Sequence, residues 1–256
     1  MTANTDRVML RKKTRIKNPA QKYPNGLSDA KNTDKLFIKE KNKMKKFLFQ
    51  GDSITDAGRR RDKKGGESYG YPTFVAGILG EKYPQAFDFY NMGVSGDRSV
   101  DMLARVKRDV IAINPDVLTV LIGVNDVWHE LQNDRNGIDA DTYYTYYDMF
   151  LTQIEAMCPQ TKIFILEPFI LKACATEENW NVFRREVEMR AEKAKALAEK
   201  HSLTFIPLQE MFDKLTEKAP ASHWLQDGVH PAPAGHYIIA ETIIEAVEKH
   251  CPEMLK

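Results

Sequence analysis

The chain of 256 residues holds only three cysteines, Cys158, Cys174 and Cys251. An odd number without metal-ligand spacing argues against a disulfide framework or a zinc centre. Reduced, mostly buried thiols are expected, and with them a cytoplasmic setting. Long hydrophobic runs are missing too. Nothing approaches a membrane span, and residues 1–43 lack the apolar stretch of a secretory signal. There is no internal repeat. The glycine-containing string "GVSGDRS" (93–99) has neither the lysine of a P-loop nor the G-x-G-x-x-G spacing, so no nucleotide fingerprint is present.

Net charge is almost absent, at +1, but it is unevenly placed. Residues 1–46 hold 14 Lys/Arg against 4 Asp/Glu, while the remaining 210 hold 23 against 32. The positive charge therefore sits in a segment rich in Lys, Asn, Asp and Pro with little to bury. A basic, disordered leader over 1–43 and a folded domain over 44–256 are expected. No nucleic-acid or membrane partner is expected of a mildly acidic domain.

From Lys46 onward, short apolar runs alternate with helical patterns. "FLFQ" (47–50), "FDFYNM" (87–92), "VLTVLIG" (117–123), "KIFILEP" (162–168) and "LTFIPL" (203–208) read as strands buried on both faces. Helical spacing of apolar residues covers 99–113, 139–157, 177–200 and 235–250. Alternating β and α elements predict an α/β fold, a three-layer α/β/α sandwich. Its five-stranded parallel sheet is expected in the flavodoxin-like order 2-1-3-4-5. In such sheets ligands gather at the carboxyl ends of the strands.

The chain just past these strands turns polar. After the first comes Gly51-Asp52-Ser53, and after the second "GVSGDRS". After the third comes "GVNDVW" (123–128), and before the last helix "HWLQDGVHPAPAGH" (223–236). Acyl transfer through serine needs a hydroxyl, a base, a group orienting the base and donors for the oxyanion. Ser53 supplies a hydroxyl, although an N-cap or turn serine reads the same way. His230 supplies a base, and Asp227, three positions earlier, is spaced to orient it. The Ser53 N–H, the Gly96 N–H and the Asn125 amide supply neutral donors. Taken singly, Gly96 and Asn125 are also ordinary turn residues.

Taken together, "GDSIT", "NMGVSGD", "GVND" and "DGVH" resemble the four blocks of the SGNH (GDSL-type) hydrolases, in family order over residues 51–230. The resemblance implies Ser53 as nucleophile, Ser53, Gly96 and Asn125 as oxyanion hole, and Asp227 with His230 completing the triad. "GDSITDAGR", "SGDRS" with Arg105 and Asp109 following, and "IGVNDVW" are similar to the carbohydrate acetylesterase branch, including bacterial acetylxylan esterases. That branch implies deacetylation of oligosaccharides through an acetyl-enzyme. No cofactor is expected, and no metal, since the Cys/His/carboxylate spacing of a zinc or iron site does not appear in the sequence. Asp52 and the rim tryptophans Trp128 and Trp224 are candidate substrate contacts, the tryptophans equally candidates for closing the core. Tyr69 and Tyr71 share that ambiguity, and Arg59–Arg61 read as a solvated loop. Segments 56–70, 128–139 and 172–180 are polar, so no greasy lid is expected. A homo-oligomer is compatible with the resemblance. The rival readings are a small-acyl thioesterase or lysophospholipase on the same scaffold, and a flavodoxin-like or carbohydrate-binding module without catalysis.

Overall fold

A computed structural model of the chain describes residues 44–62, 68–132 and 135–255; the expected leader, 1–43, lies outside them. The strands are β1 Lys45–Gly51, β2 Phe87–Asn91, β3 Val117–Leu121, β4 Lys162–Leu166 and β5 Thr204–Ile206. Around them run α1 Ser53–Asp56, α2 Tyr71–Lys82, α3 Ser99–Ala104, α4 Val124–Leu131, α5 Ala140–Met157, α6 Trp180–Lys200, α7 Gln209–Leu215, α8 Ala221–Trp224 and α9 Pro233–His250. All strand pairs are parallel, in the spatial order β2-β1-β3-β4-β5 predicted by the alternating pattern. Among the described residues, no helix is long and apolar enough to cross a membrane.

β1 shows why the sheet needs cover on both sides. Phe47 and Phe49 point to one face and Leu48 to the other, and all three are buried. The phenylalanines join Tyr71, Val75 and Leu79 of α2 and Ile239 and Ile243 of α9. Leu48 joins Met102 of α3 and Tyr143, Phe150 and Ile154 of α5. Helix ends follow the local sequence. The Asp139 carboxylate accepts the N–H groups of Asp141 and Thr142 at 3.1 and 3.0 Å, starting α5, and Pro159 forbids its continuation past Cys158.

Several elements depart from the expected pattern: the short helices α1, α7 and α8 fall outside the helical stretches read from the sequence, and three longer stretches differ. The helix predicted over 99–113 is split: α3 stops at Ala104 and a π turn covers Lys107–Ile111. Arg105, between them, turns its guanidinium inward to the carbonyls of Met92 and Gly51. α2 has apolar residues nearly all round, including Phe74 and Ile78, so no polar face gives it a readable period. β3 ends at Leu121, and the run after it turns at Gly123 into α4 rather than a loop.

The register pairs Gly51 with Leu121, so the ends of β1 and β3 lie side by side. Their connections leave toward opposite neighbours in the sheet, which opens a crevice at that edge. Ser53 and Asn125 stand on its two sides.

Candidate active site

Asp52 turns the chain from β1 into α1. Its carboxylate folds back to accept the Ile54 N–H at 2.9 Å, capping the helix whose first residue is Ser53. Burial, the largest influence, pushes this carboxyl up to about 7. Asp52, a candidate substrate contact in the sequence, has a side chain that is 1% exposed, bonded to the cap and absent from the cavity wall. Asp52→Ala is expected to destabilise the fold by about 1 kcal/mol in urea unfolding, and Asp52→Asn, an equally good cap, to keep most of that stability.

Across the crevice, residues 225–231 form a tight loop closed by an antiparallel bridge between Leu225 and Pro231. Within it, Asp227 Oδ1 accepts the N–H groups of Val229 and His230 at 2.9 and 2.8 Å. Its Oδ2 lies 2.7 Å from His230 Nδ1, and His230 Nε2 lies 2.9 Å from Ser53 Oγ. The carboxylate thus accepts the Nδ1 proton and leaves Nε2 free to accept from the serine hydroxyl. Burial opposes the Asp227 charge. The ring bond to His230 and the backbone N–H groups of His230 and Val229 outweigh it and bring the carboxyl down to about 2. The same ring bond, ahead of burial, raises His230 above its ordinary value.

The loop after β2 is tied to α1. The Ser95 N–H and hydroxyl donate to Asp56 at 3.1 and 3.2 Å. Gly93 permits this approach, since a Cβ there would lie 2.3 Å from the Asp56 nitrogen. Gly96 adopts φ +85, and no atom crowds the place of its absent Cβ; the position requires glycine for its backbone angle. Asn125, near the start of α4, spends one amide hydrogen on the Asp97 carbonyl at 3.0 Å. Neither the Ser53 N–H nor the Gly96 N–H has an acceptor among the described residues.

Two further side chains brace this arrangement. Arg105 donates to Asp97 at 2.5 Å, to the Met92 carbonyl at 2.7 Å and to the Gly51 carbonyl at 3.2 Å, and it pairs with Asp109. It therefore links the ends of β1 and β2 to the loop carrying Gly96. Asp126, fully buried, accepts the Ser99 N–H at 3.1 Å and the Ser99 hydroxyl, and burial pushes its carboxyl up to about 7. Its position beside Asn125 in "GVND" is the only sequence signal of that bracing role.

A cavity of about 440 Å³ opens beside the serine, lined among others by Ser53, Ser95, Tyr69, Gln226, His230 and His236. The tryptophans sit differently from expectation, on helices rather than rim loops. Trp128 packs between Phe183 and the His230 ring, with centroids 6.0 and 5.7 Å away. Trp224 is half-buried, with its indole N–H on the Ala219 carbonyl at 3.3 Å, and it is absent from the cavity wall. Tyr71 is core, whereas Tyr69 is 72% exposed at the cavity. Arg59 is half-buried on the Asn91 carbonyl rather than solvated. Of the cysteines, Cys158 and Cys251 are buried and Cys174 is exposed.

A hydroxyl, a base oriented by a carboxylate, and unpartnered N–H groups at one sheet edge are the parts of a serine hydrolase. The sequence matches the GDSL-like Lipase/Acylhydrolase family over residues 49–238. The chain belongs to this family. It is 31% identical over 212 residues to the acetylxylan esterase of Geobacillus stearothermophilus, covering 79% of this chain and 93% of that protein. A solved structure from Parabacteroides merdae, described as a GDSL-like lipase, superposes with a TM-score of 0.75 at 35% identity, covering 80% of this chain and 96% of that one. Axe2, the Geobacillus acetylxylan esterase, superposes with a TM-score of 0.71 at 29% identity, covering 79% and 94%. Solved catalytic mutants of Axe2 replace a serine, an aspartate and a histidine by alanine, the aspartate three positions ahead of the histidine. With its family, this chain is a carboxylic ester hydrolase.

Proposed function

We propose that the chain deacetylates acetylated oligosaccharides through an acetyl-enzyme carried on Ser53. The observation that supports this most is the continuous line from Asp227 Oδ2 to His230, 2.7 Å, and from His230 to Ser53 Oγ, 2.9 Å, at the mouth of the cavity. The serine oxygen attacks the ester carbonyl while His230 Nε2 takes its proton. The carbonyl oxygen, now an anion, is met by the N–H groups of Ser53 and Gly96 and the free amide hydrogen of Asn125. Collapse breaks the carbon–oxygen bond to the sugar, and His230 gives the proton to the departing sugar oxygen, which leaves as a hydroxyl. Water, deprotonated by the same imidazole, then releases acetate and restores the serine.

The substrate class rests on the relatives, one of which is named an acetyl-xylooligosaccharide esterase, and on a cavity wall that mixes polar and apolar surface. The Asp-x-x-His spacing of the Axe2 mutants equals that of Asp227 and His230. Acetate release from acetylated xylan fragments, other acetylated sugars and acyl thioesters tests the assignment. Sugar acetates are expected to lead. A maximum beyond butyryl in a chain-length series would point instead to the thioesterase or lysophospholipase reading.

Asn125→Ala is expected to lower kcat by about 10²–10³-fold, because one preorganised donor is lost from the developing anion. An effect confined to KM would place Asn125 in ground-state binding instead.

A further inference from the structure

The cavity wall carries one buried polar side chain that the acyl-transfer steps leave unused. His236, in the first turn of α9, is only 4% exposed and lines the cavity together with Ser53 and His230. Its Nδ1 accepts the Tyr71 N–H at 3.2 Å. That bond fixes the ring proton on Nε2 of the neutral imidazole. Nε2 has no acceptor among the described residues, and the atom is not sealed in the core. Burial, followed by the charge of nearby His230, holds the His236 pKa down to about 4, so the ring stays neutral where the triad works.

A polar group this buried is normally paired. Here the partner must come from whatever fills the cavity. The oxyanion donors take the carbonyl oxygen, and His230 must reach the leaving oxygen. A space of about 440 Å³ next to His230 far exceeds an acetyl group and suits a small polyol or sugar ring. Tyr69 adds an exposed aromatic ring on the same wall, lying against Gly58. A neutral donor in a half-apolar cavity matches an uncharged oxygen.

We propose that His236 is a specificity-determining residue that donates from Nε2 to a hydroxyl or ring-ether oxygen of the leaving alcohol, selecting which acetylated hydroxyl reaches Ser53. This rests on the reading that the leaving group is a sugar.

The test compares kcat/KM on 4-nitrophenyl acetate with kcat/KM on mono-acetylated methyl β-xylosides. The xylosides are used intact and with each remaining hydroxyl replaced in turn by hydrogen. In the native enzyme, one deoxygenated position is expected to lose about tenfold or more. His236→Leu is expected to lower the sugar-to-aryl ratio by a similar factor and to become indifferent to that position. His236→Gln keeps an acceptor for Tyr71 and a donor for the cavity, and is expected to retain part of the preference. A flat deoxy series in the native enzyme, or equal losses on both kinds of acetate in the variants, would overturn the role of His236 and leave sugar deacetylation standing. Because His236→Leu leaves the Tyr71 N–H unpartnered, its fold is checked by thermal melting; if it does not fold, the native series and His236→Gln decide. Native hydrolysis of the aryl acetate with no sugar acetate cleaved would remove the sugar reading and this one together.

Discussion

Ser53→Ala is expected to lower kcat for 4-nitrophenyl acetate by about 10⁴–10⁶-fold and to leave the unfolding midpoint near its native value. The chemistry needs the hydroxyl as nucleophile, and the Ser95 hydroxyl on the same cavity wall donates to Asp56 rather than facing the imidazole. His230 would retain its bond to Asp227, and the unpartnered N–H groups of Ser53 and Gly96 would remain. Such a remnant still polarises a carbonyl, so some turnover above water persists. Stability is expected to hold because the side-chain bond of Ser53 is to His230 Nε2, in a cavity open to water. A binding module that merely shares the fold would show no turnover to lose. Kinetic measurement beside a thermal melt separates these outcomes.

Asp227→Asn is expected to cost about 10⁴-fold in kcat with little change in the loop. Asn retains an oxygen for the N–H groups of Val229 and His230, now held at 2.9 and 2.8 Å. Its NH₂ then faces His230 Nδ1, which becomes an acceptor. The ring proton moves to Nε2 and points at Ser53, where an acceptor is required. The pH profile gives a second readout. In the native enzyme only neutral His230 can take the serine proton, so kcat/KM falls as pH drops through the His230 pKa. The Asp227 bond raises that pKa, so the acid limb is expected above the ordinary histidine value of about 6.5. Removing the Asp227 charge withdraws the support for the cation and moves the limb to lower pH. An acid limb below the ordinary value in the native enzyme would contradict the assigned coupling.

The sheet was legible because strands buried on both faces leave uninterrupted apolar runs, as in "VLTVL" of β3. That Ser53, Asp227 and His230 meet was legible from the polar turns at one rim together with the resemblance of "GDSIT" and "DGVH" to family blocks; taken singly, each also reads as a turn or loop residue. α2 was hidden, since a helix with apolar residues on most sides has no period to read. Asp52 and Trp224 look like site residues in one dimension. Their side-chain directions come from tertiary packing: one turns back onto Ile54 N, the other onto the Ala219 carbonyl. His236 shows the reverse case. Only its contact with Tyr71, 165 residues away in the chain, reveals a ring aimed at the cavity.

A fluorophosphonate probe with intact-mass and peptide analysis addresses the nucleophile directly. One phosphonyl group per chain, carried on Ser53 and lost in both Ser53→Ala and His230→Ala, is the predicted result. An unlabelled native enzyme, or a label on another residue, would contradict it.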